Sequence, residues 1–466
     1  MYPIIRFERI ELNYFKNVKQ GTIENTEYRN KLFYTDKADV IGIYGQNGSG
    51  KTAVVDALNL LKLLMSGESL PSKAKNFINQ ESEAAVMKFV FYLEMKQAEQ
   101  ESSTRYLIYY EVSFSLEEGE KPREQKTMYL KDEVISYSTI GVRGKTELLH
   151  YDANGGISPK VRYQELSRQN SEATIACEVA KRISMKERRS FLFQSEIMEL
   201  FEAEQMNPEY ARILKMLHYY AKMNLFVVAN RNVGNCQITY MPISFRLTME
   251  DVATSGVAQI SLTGPTVVSN NSYELVRLIV QQLNLVVAAI LPDMQIEVQD
   301  LGKELNVSLE EVHRVELVTV RNGVKLPLAY ESEGIKKLLS ILSALISVYN
   351  NPSICLIVDE LDSGVFEYLL GELLQIIEQN ARGQLIFTSH NLRALEKLHR
   401  DSVVISTVNP MQRYIRIPHE RGYKNFRNTY LRNLDLGGLK EEIYHSGNSY
   451  EISYAFRKAG DLFEGE

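Results

Sequence analysis

The sequence predicts an α/β fold interrupted by a long β-rich and helical insertion. Three observations carry that expectation. Apolar runs suited to buried strands occur near both ends of the chain, at residues 40–44, 353–358 and 384–389. Stretches that are apolar at helical spacing accompany them, at residues 53–61 and 338–348. Between these halves, residues 85–151 carry strand-like runs and residues 172–222 return to helical spacing.

Residues 4–12 alternate well enough for an opening strand, with a turn at 13–18 and a second strand at 21–23. The run at 40–44 then enters Gly45, Gln46, Asn47, Gly48, Ser49, Gly50, Lys51 and Thr52. This reads G-x-x-x-x-G-K-[ST], set between a strand and a helix. Glycines let the backbone wind tightly enough for successive N–H groups to face one anion. The helix N-terminus behind the loop adds partial positive charge. Lys51 has the reach and charge for β- and γ-phosphates, and the Thr52 hydroxyl suits Mg²⁺. ATP with Mg²⁺ is therefore the expected ligand.

The chain turns polar at 66–83. Runs at 85–95, 105–116, 126–138 and 146–151 predict a small antiparallel sheet of hairpins. Two or three modest helices are expected over 172–222, with Pro208 at one start. Residues 225–229 form a short strand candidate, and 272–291 a strong helix closed by Pro292. Strands follow at 295–300, 304–309 and 315–320, and Asn322-Gly323 turns the chain into 324–329.

Residues 353–358 run into Asp359 and Glu360. In a phosphate-loop fold this strand is expected beside the first, with Asp359 on the metal near Thr52 and Glu360 polarising the attacking water. Taken alone, the run reads as a buried strand entering an acidic turn. Residues 384–389 run into His390, which can sense a γ-phosphate or simply finish a strand at the surface. Ser332 and Gly334 stand before the helix at 338–348. That spacing suits anion binding at a helix start, and an ordinary helix cap explains it too.

The order of these motifs resembles an ABC-type ATPase head, as found in SMC and related chromosome and repair proteins. It runs phosphate loop, long insertion, Ser-x-Gly, apolar-Asp-Glu, Leu361-Asp362, then Thr388-Ser389-His390. The resemblance covers residues 1–65 and 325–440. Glu331 to Leu338 is similar to the E-S-x-G-x-K-x-L signature of stand-alone bacterial AAA family ATP-binding proteins. Arg427 and Tyr430, with Gly437-Gly438 after them, resemble their R-x-x-Y…GG ending. Many members serve anti-phage defence, such as the ATPases of Septu, PARIS, Lamassu and OLD-like systems.

The resemblance implies an ATPase with Lys51, Glu360 and His390 as catalytic residues. It implies that Ser332 and Gly334 touch the γ-phosphate of a second protomer, with Leu361-Asp362 at the interface. A homodimer or higher homo-oligomer and a separate effector, a nuclease or toxin, follow as partners. The alternative is an SMC-type repair or chromosome-organising head acting with a nuclease or DNA. The lack of sustained heptads counts against long coiled-coil arms. The Ser-Glu-Gly signature and β-rich insertion count against a transport subunit, and Glu360 against a scaffold without turnover. Gln80 stands roughly where the family carries its glutamine loop. The expected division is 1–80 and 326–410 for the ATPase head, 81–325 for the insertion, and 411–466 for a basic-aromatic tail.

Bulk properties agree with a globular protein. Hydrophobic residues are 44% and charged residues 24% of the 466, with a net charge of -6, so the chain is no polycation. Cys177, Cys236 and Cys355 form no paired motif, which speaks for a reducing compartment. No apolar run is expected to reach the length of a membrane span and no signal-peptide plan opens the chain, so a cytoplasmic protein without a membrane partner is expected. Arg182, Lys186 and Arg189 are expected on one helix face, solvated or in contact with a partner. In the tail, Arg413, Arg416, Arg421, Lys424, Arg427 and Arg432 interleave with Tyr414, Tyr423, Phe426 and Tyr430. That pattern admits a nucleic-acid partner, or an edge strand and loop docked on the head. No cluster of metal-binding residues for nuclease chemistry is legible, so the damaging activity is expected on another protein.

Overall fold

The computed structural model describes residues 3–461 except 26–27, 29–32, 34–35, 97–102, 118–126, 155, 159–170, 204–207, 230–239, 250–251, 306–308, 419–425, 437–439 and 445–448. Its centre is a six-stranded sheet. Four short strands, β3 (Asp39–Tyr44), β16 (Cys355–Val358), β17 (Gln384–Thr388) and β18 (Val403–Ser406), are buried along their whole length. Such continuous burial is what a parallel sheet covered on both faces requires. With β9 (Leu225–Val228) and β19 (Tyr414–Ile415), the order is β19-β18-β3-β17-β16-β9, parallel except for β19.

Alternate side chains of these strands enter two different cores, as the two-residue period demands. Ile41, Ile43, Ile357 and Ile386 face α1 (Lys51–Met65). Val40, Leu356, Val358, Leu385 and Phe387 face α6 (Glu333–Asn350) and α7 (Glu367–Asn380). The strand bearing Asp359 is not beside the phosphate-loop strand, as the sequence suggested. β17 lies between β3 and β16, because the β16–α7–β17 crossover returns the chain into the gap beside β3.

The second sheet is larger than a set of hairpins. β1 (Ile4–Phe15) and β2 (Val18–Glu24) join β4 (Ala84–Lys96), β5 (Ser103–Glu117), β6 (Thr127–Thr139), β7 (Thr146–Asp152) and β8 (Gly156–Ser158) in one antiparallel sheet of seven strands. A buried polar cluster ties it to the central sheet. Arg6, 1% exposed, places Nη2 3.3 Å from Asp39 Oδ2, and Gln384 exchanges two hydrogen bonds with the Phe7 backbone, of 2.7 and 2.6 Å.

Three helices cover this assembly: α2 (Ser171–Glu187), α3 (Ser195–Ala203) and α4 (Pro208–Met223). Helix α2 ends at Glu187 and Arg188 is left-handed at φ 55°, so Arg189 leaves the helical face expected for it with Arg182 and Lys186. A third core forms where α5 (Asn270–Ile290) packs on β13 (Gln295–Leu305) and β14 (Glu311–Arg321). Here the expected strand 295–300 runs on to Leu305 as one strand with a register shift between Asp300 and Gly302, while 306–308 of the expected strand 304–309 lie outside the described residues and Leu309 is not in a strand. β12 (Thr266–Ser269) and β15 (Val324–Pro327) complete that sheet, and β10 (Tyr240–Met249) pairs with β11 (Val252–Ser261). Helix α5, at 21 residues, is long and apolar enough to cross a membrane by length and composition, contrary to the sequence expectation. Its Leu275, Val276, Ile279, Val280 and Leu283 pack in the core instead.

Past β17 come the short α8 (Ala394–Lys397), then α9 (Phe426–Leu436) and the exposed α10 (Ser449–Asp461). Cys177 and Cys355 are free and buried, while Cys236 lies outside the described residues.

Candidate phosphate and hydrolysis site

The strands β3, β16 and β17 run parallel, so their carboxyl ends meet at one edge of the sheet, the usual ligand crevice of such folds. At that edge the loop 45–52 leaves β3 and enters α1, whose N-cap is Gly50 at φ 93°. Lys51 is buried, and its Nζ donates to the carbonyls of Gly45 (2.8 Å) and Gln46 (2.9 Å). Burial lowers the Lys51 pKa, against the raising effect of Asp359, Glu360 and Asp362. These three carboxylates therefore lie within electrostatic reach of the loop lysine.

The loop is braced from two sides that its motif does not reveal. Asn17 Nδ2 donates to the Gly48 carbonyl, and Tyr414 Oη donates to the Gly50 carbonyl at 2.7 Å. Ser49 Oγ sits 2.5 Å from Ser406 Oγ at the end of β18. A Cβ on Gly45 would collide with Ser406, so that position requires glycine. Lys16 pairs with Asp56 at 2.6 Å across the start of α1.

Asp359 follows β16 and is 4% exposed. Its pKa is raised, first by burial and then by Glu360 and Asp56, while hydrogen bonds to Thr388 and Thr52 oppose the rise. Thr388 is the residue that sequence reasoning passed over. Its hydroxyl donates to Asp359 Oδ1 at 2.6 Å and accepts from the Glu360 N–H at 2.7 Å. The intervening strand β17 thus supplies the group that fixes both carboxylate residues. The only sequence signal was the Thr that ends an apolar run just before Ser-His.

His390 follows Ser389, and its N–H donates to Asp362 Oδ2 at 3.0 Å. Its pKa is lowered, chiefly by partial burial and then by Lys51, so His390 also belongs to this cluster. Ser332 is the N-cap of α6, which begins five residues before the expected start, and its Oγ accepts from the Ile335 N–H at 3.3 Å. Gly334 packs directly on Gly364, past the Leu361-Asp362 turn. The structure therefore joins Lys51, Thr52, Asp359, Glu360, Asp362 and His390 at one edge. Gly334 lies against Gly364, just past the acidic turn, and Ser332 caps the helix that carries Gly334.

Gln80 is an exposed turn residue beyond the Phe15–Ile78 bridge. Three of the tail's cations are engaged within the chain, while Arg432 is exposed. Arg413 Nη1 donates to the Thr407 carbonyl at 2.7 Å, Arg416 Nη2 to the Glu24 carbonyl at 2.7 Å, and Arg427 pairs with Glu396 at 2.8 Å. Tyr414, Phe426 and Tyr430 are buried, while Arg421, Tyr423, Lys424 and Gly437-Gly438 lie outside the described residues.

The donor set fits both parts of the ligand expected from the sequence. A lysine beside backbone turns suits a polyphosphate, and a threonine hydroxyl hydrogen-bonded to a carboxylate suits Mg²⁺.

Residues 248–396 match the family model described as "AAA domain, putative AbiEii toxin, Type IV TA system". That span holds Ser332, Asp359, Glu360 and His390 and leaves the phosphate loop outside. No curated protein matches the chain. Among solved structures, the chain is similar to the Smc head domain with an extended coiled coil bound to the C-terminal domain of ScpA from Pyrococcus furiosus. The identity is 12%, the TM-score 0.40, and coverage 89% of this chain and 96% of that one. It is also similar to the SmcHead bound to the C-winged helix domain of ScpA, at 13% identity, TM-score 0.39, and coverage of 89% and 98%. A third is the SMC head domain from Thermotoga maritima, at 13% identity, TM-score 0.34, and coverage of 89% and 100%. The AAA-domain match and the parallel central sheet that carries the loop 45–52 agree on the fold class: an α/β fold interrupted by a β-rich and helical insertion.

Proposed function

We propose that the chain binds Mg²⁺ and ATP at the edge formed by β3, β16 and β17 and hydrolyses the ATP there. The carrying observation is the Thr388 hydroxyl, which fixes Asp359 and Glu360 together beside the phosphate loop. In this reading the loop 45–52 holds the phosphates, Lys51 offsets charge on the transferred phosphoryl group, and Glu360 orients and deprotonates water. Thr52 and Asp359 would hold Mg²⁺, which supplies charge stabilisation at the β- and γ-phosphates. His390 faces the same space as a γ-phosphate sensor.

Ser332 and Gly334 complete the site of a second copy, so ATP drives homodimerisation. The cycle regulates a separate effector, a nuclease or toxin, in bacterial anti-phage defence, and the protein acts in the cytoplasm. The proposed units are the ATPase head at 1–80 and 326–410, the insertion at 81–325, from which β9 joins the head's central sheet, and the tail at 411–466, whose β19 pairs at the other edge of that sheet. The SMC-type alternative needs long coiled-coil arms. The longest helix among the described residues, α5, has 21 residues and spans roughly 30 Å.

The test is kinetic. Lys51→Ala should abolish hydrolysis and most ATP binding. Glu360→Gln should bind ATP but turn over roughly 10²-fold more slowly. Parental turnover in purified Glu360→Gln would sink the assignment of the base.

A further inference from the structure

The acidic turn is fastened to the start of α6 by a buried lysine. Lys337 is 8% exposed, and its Nζ donates to the Glu360 carbonyl oxygen. The Ser363 N–H reaches the same oxygen at 3.0 Å. The Glu360 N–H is held by Thr388 Oγ1 at 2.7 Å. Both peptide groups of Glu360 are therefore fixed, and they hold it at φ 48°, in the left-handed region that a residue with a Cβ rarely adopts. Such a conformation persists only where the surroundings over-determine it. A second contact closes the arrangement. Gly364, at φ 75°, lies so near Gly334 that a Cβ on Gly334 would collide with the Gly364 carbonyl. The turn beginning at Ser332 and the turn bearing Glu360 thus form one packed unit within a single chain.

We propose that Lys337 is a positioning residue for hydrolysis. It holds the Glu360 backbone in the left-handed conformation that aims the carboxylate. It also links the Ser332–Gly334 turn, which meets a second copy's nucleotide, to the hydrolytic carboxylate of its own chain. This rests on the proposed function and adds a route between the two sites of a dimer: nucleotide docked on Ser332 bears on Glu360 through a helix start, a lysine and a carbonyl. A lysine that only filled space would affect folding and nucleotide affinity together. A lysine that aims Glu360 affects turnover and leaves affinity alone, since small misplacements of a catalytic group cost about 10²-fold.

The experiment compares Lys337→Met, Lys337→Arg, Glu360→Gln and the double variant Lys337→Met/Glu360→Gln in the full chain, with Tm, ATP Kd and kcat for each. The expected result is a kcat roughly 10- to 10²-fold below the parent for Lys337→Met, with Kd within about threefold. Lys337→Arg, which can still donate to the carbonyl, should recover part of the loss. The double variant should be no slower than Glu360→Gln alone, because the two residues act as one unit. If Lys337→Met does not fold, Gly364→Ala takes its place and should show the same fall in kcat at unchanged Kd. Parental kcat in a folded Lys337→Met or Gly364→Ala, or additive losses in the double variant, overturns the positioning role alone. Parental kcat in Glu360→Gln overturns the proposed base and Lys337 with it.

Discussion

Asp359 is held where its charge is costly in the free protein. It is buried, and its pKa is raised above the usual 3.8, first by that burial and then by Glu360 and Asp56. A carboxyl group raised in this way contributes stability that is complete below the unfolded value and is lost as pH rises through the folded one. Above the unfolded value the burial of this carboxyl therefore works against folding. Asp359→Asn keeps an acceptor for Thr388 and removes the charge, so thermal melting without nucleotide should move upward at pH 7. The advantage should shrink as pH falls toward 3.8. Adding Mg²⁺ and ATP should reverse the order, since ligand binding raises the melting temperature only of a chain that binds. A variant that melts below the parent at pH 7 without nucleotide would contradict this account. The loop residues Gly45 to Thr52 were legible because their chemistry is local. Thr388 and Lys337 were not, because each acts on Glu360 across 28 and 23 positions of sequence.

Among the elements, long periodic runs were legible and their ends were not. The helix predicted over 338–348 is α6, Glu333–Asn350, extended because Ser332 caps it and Glu333 suits its first turn. Gly302 marks a register shift inside β13, where the sequence suggested a break between strands. A different element-level feature had no sequence signal. Glu133 on β6 is wholly buried, yet it accepts hydrogen bonds from Tyr110 Oη at 2.6 Å, from Ser190 Oγ, and from the Phe191 and Leu192 N–H groups at 2.8 and 3.3 Å. It pegs the turn between α2 and α3 to the antiparallel sheet. Glu133→Ala leaves those donors unsatisfied and should cost about 3 kcal/mol or more in urea unfolding. Tyr110→Phe removes a single donor and should cost about 1 kcal/mol. Equal losses for the two would show that Glu133 is not the peg.

At the scale of the whole molecule, function depends on which parts belong to the folded body and which remain for association. Helix α10 contributes no buried residue among those described. Removing residues 449–466 should therefore leave Tm and basal ATP turnover near parental values, and a large fall in Tm would refute that placement. Association should depend on Ser332. Ser332→Arg places a bulky cation where the second copy's γ-phosphate is proposed to lie, and should bind ATP as a monomer without ATP-driven dimerisation in sedimentation. Mixing it with Lys51→Ala restores one intact composite site per mixed dimer, so activity should partly return. Full activity of Ser332→Arg alone would refute the composite site. The purified chain should hydrolyse ATP yet leave DNA and RNA uncut with Mg²⁺ or Mn²⁺. Cleavage that survives Lys51→Ala and repeated purification would overturn the separate effector.

The sequence alone determined the phosphate loop, the Asp359-Glu360 pair and the strand and helix periods, because turn geometry, charge and side-chain alternation act over a few neighbouring residues. Tertiary structure decided the rest. It set β17 between β3 and β16, merged β1 and β2 with the inserted strands in one sheet, turned Arg413 and Arg416 inward as hydrogen-bond donors, and paired Arg427 with Glu396. Strand order and the partners of long side chains are settled by burial and backbone pairing between segments hundreds of residues apart, and no local pattern records those contacts.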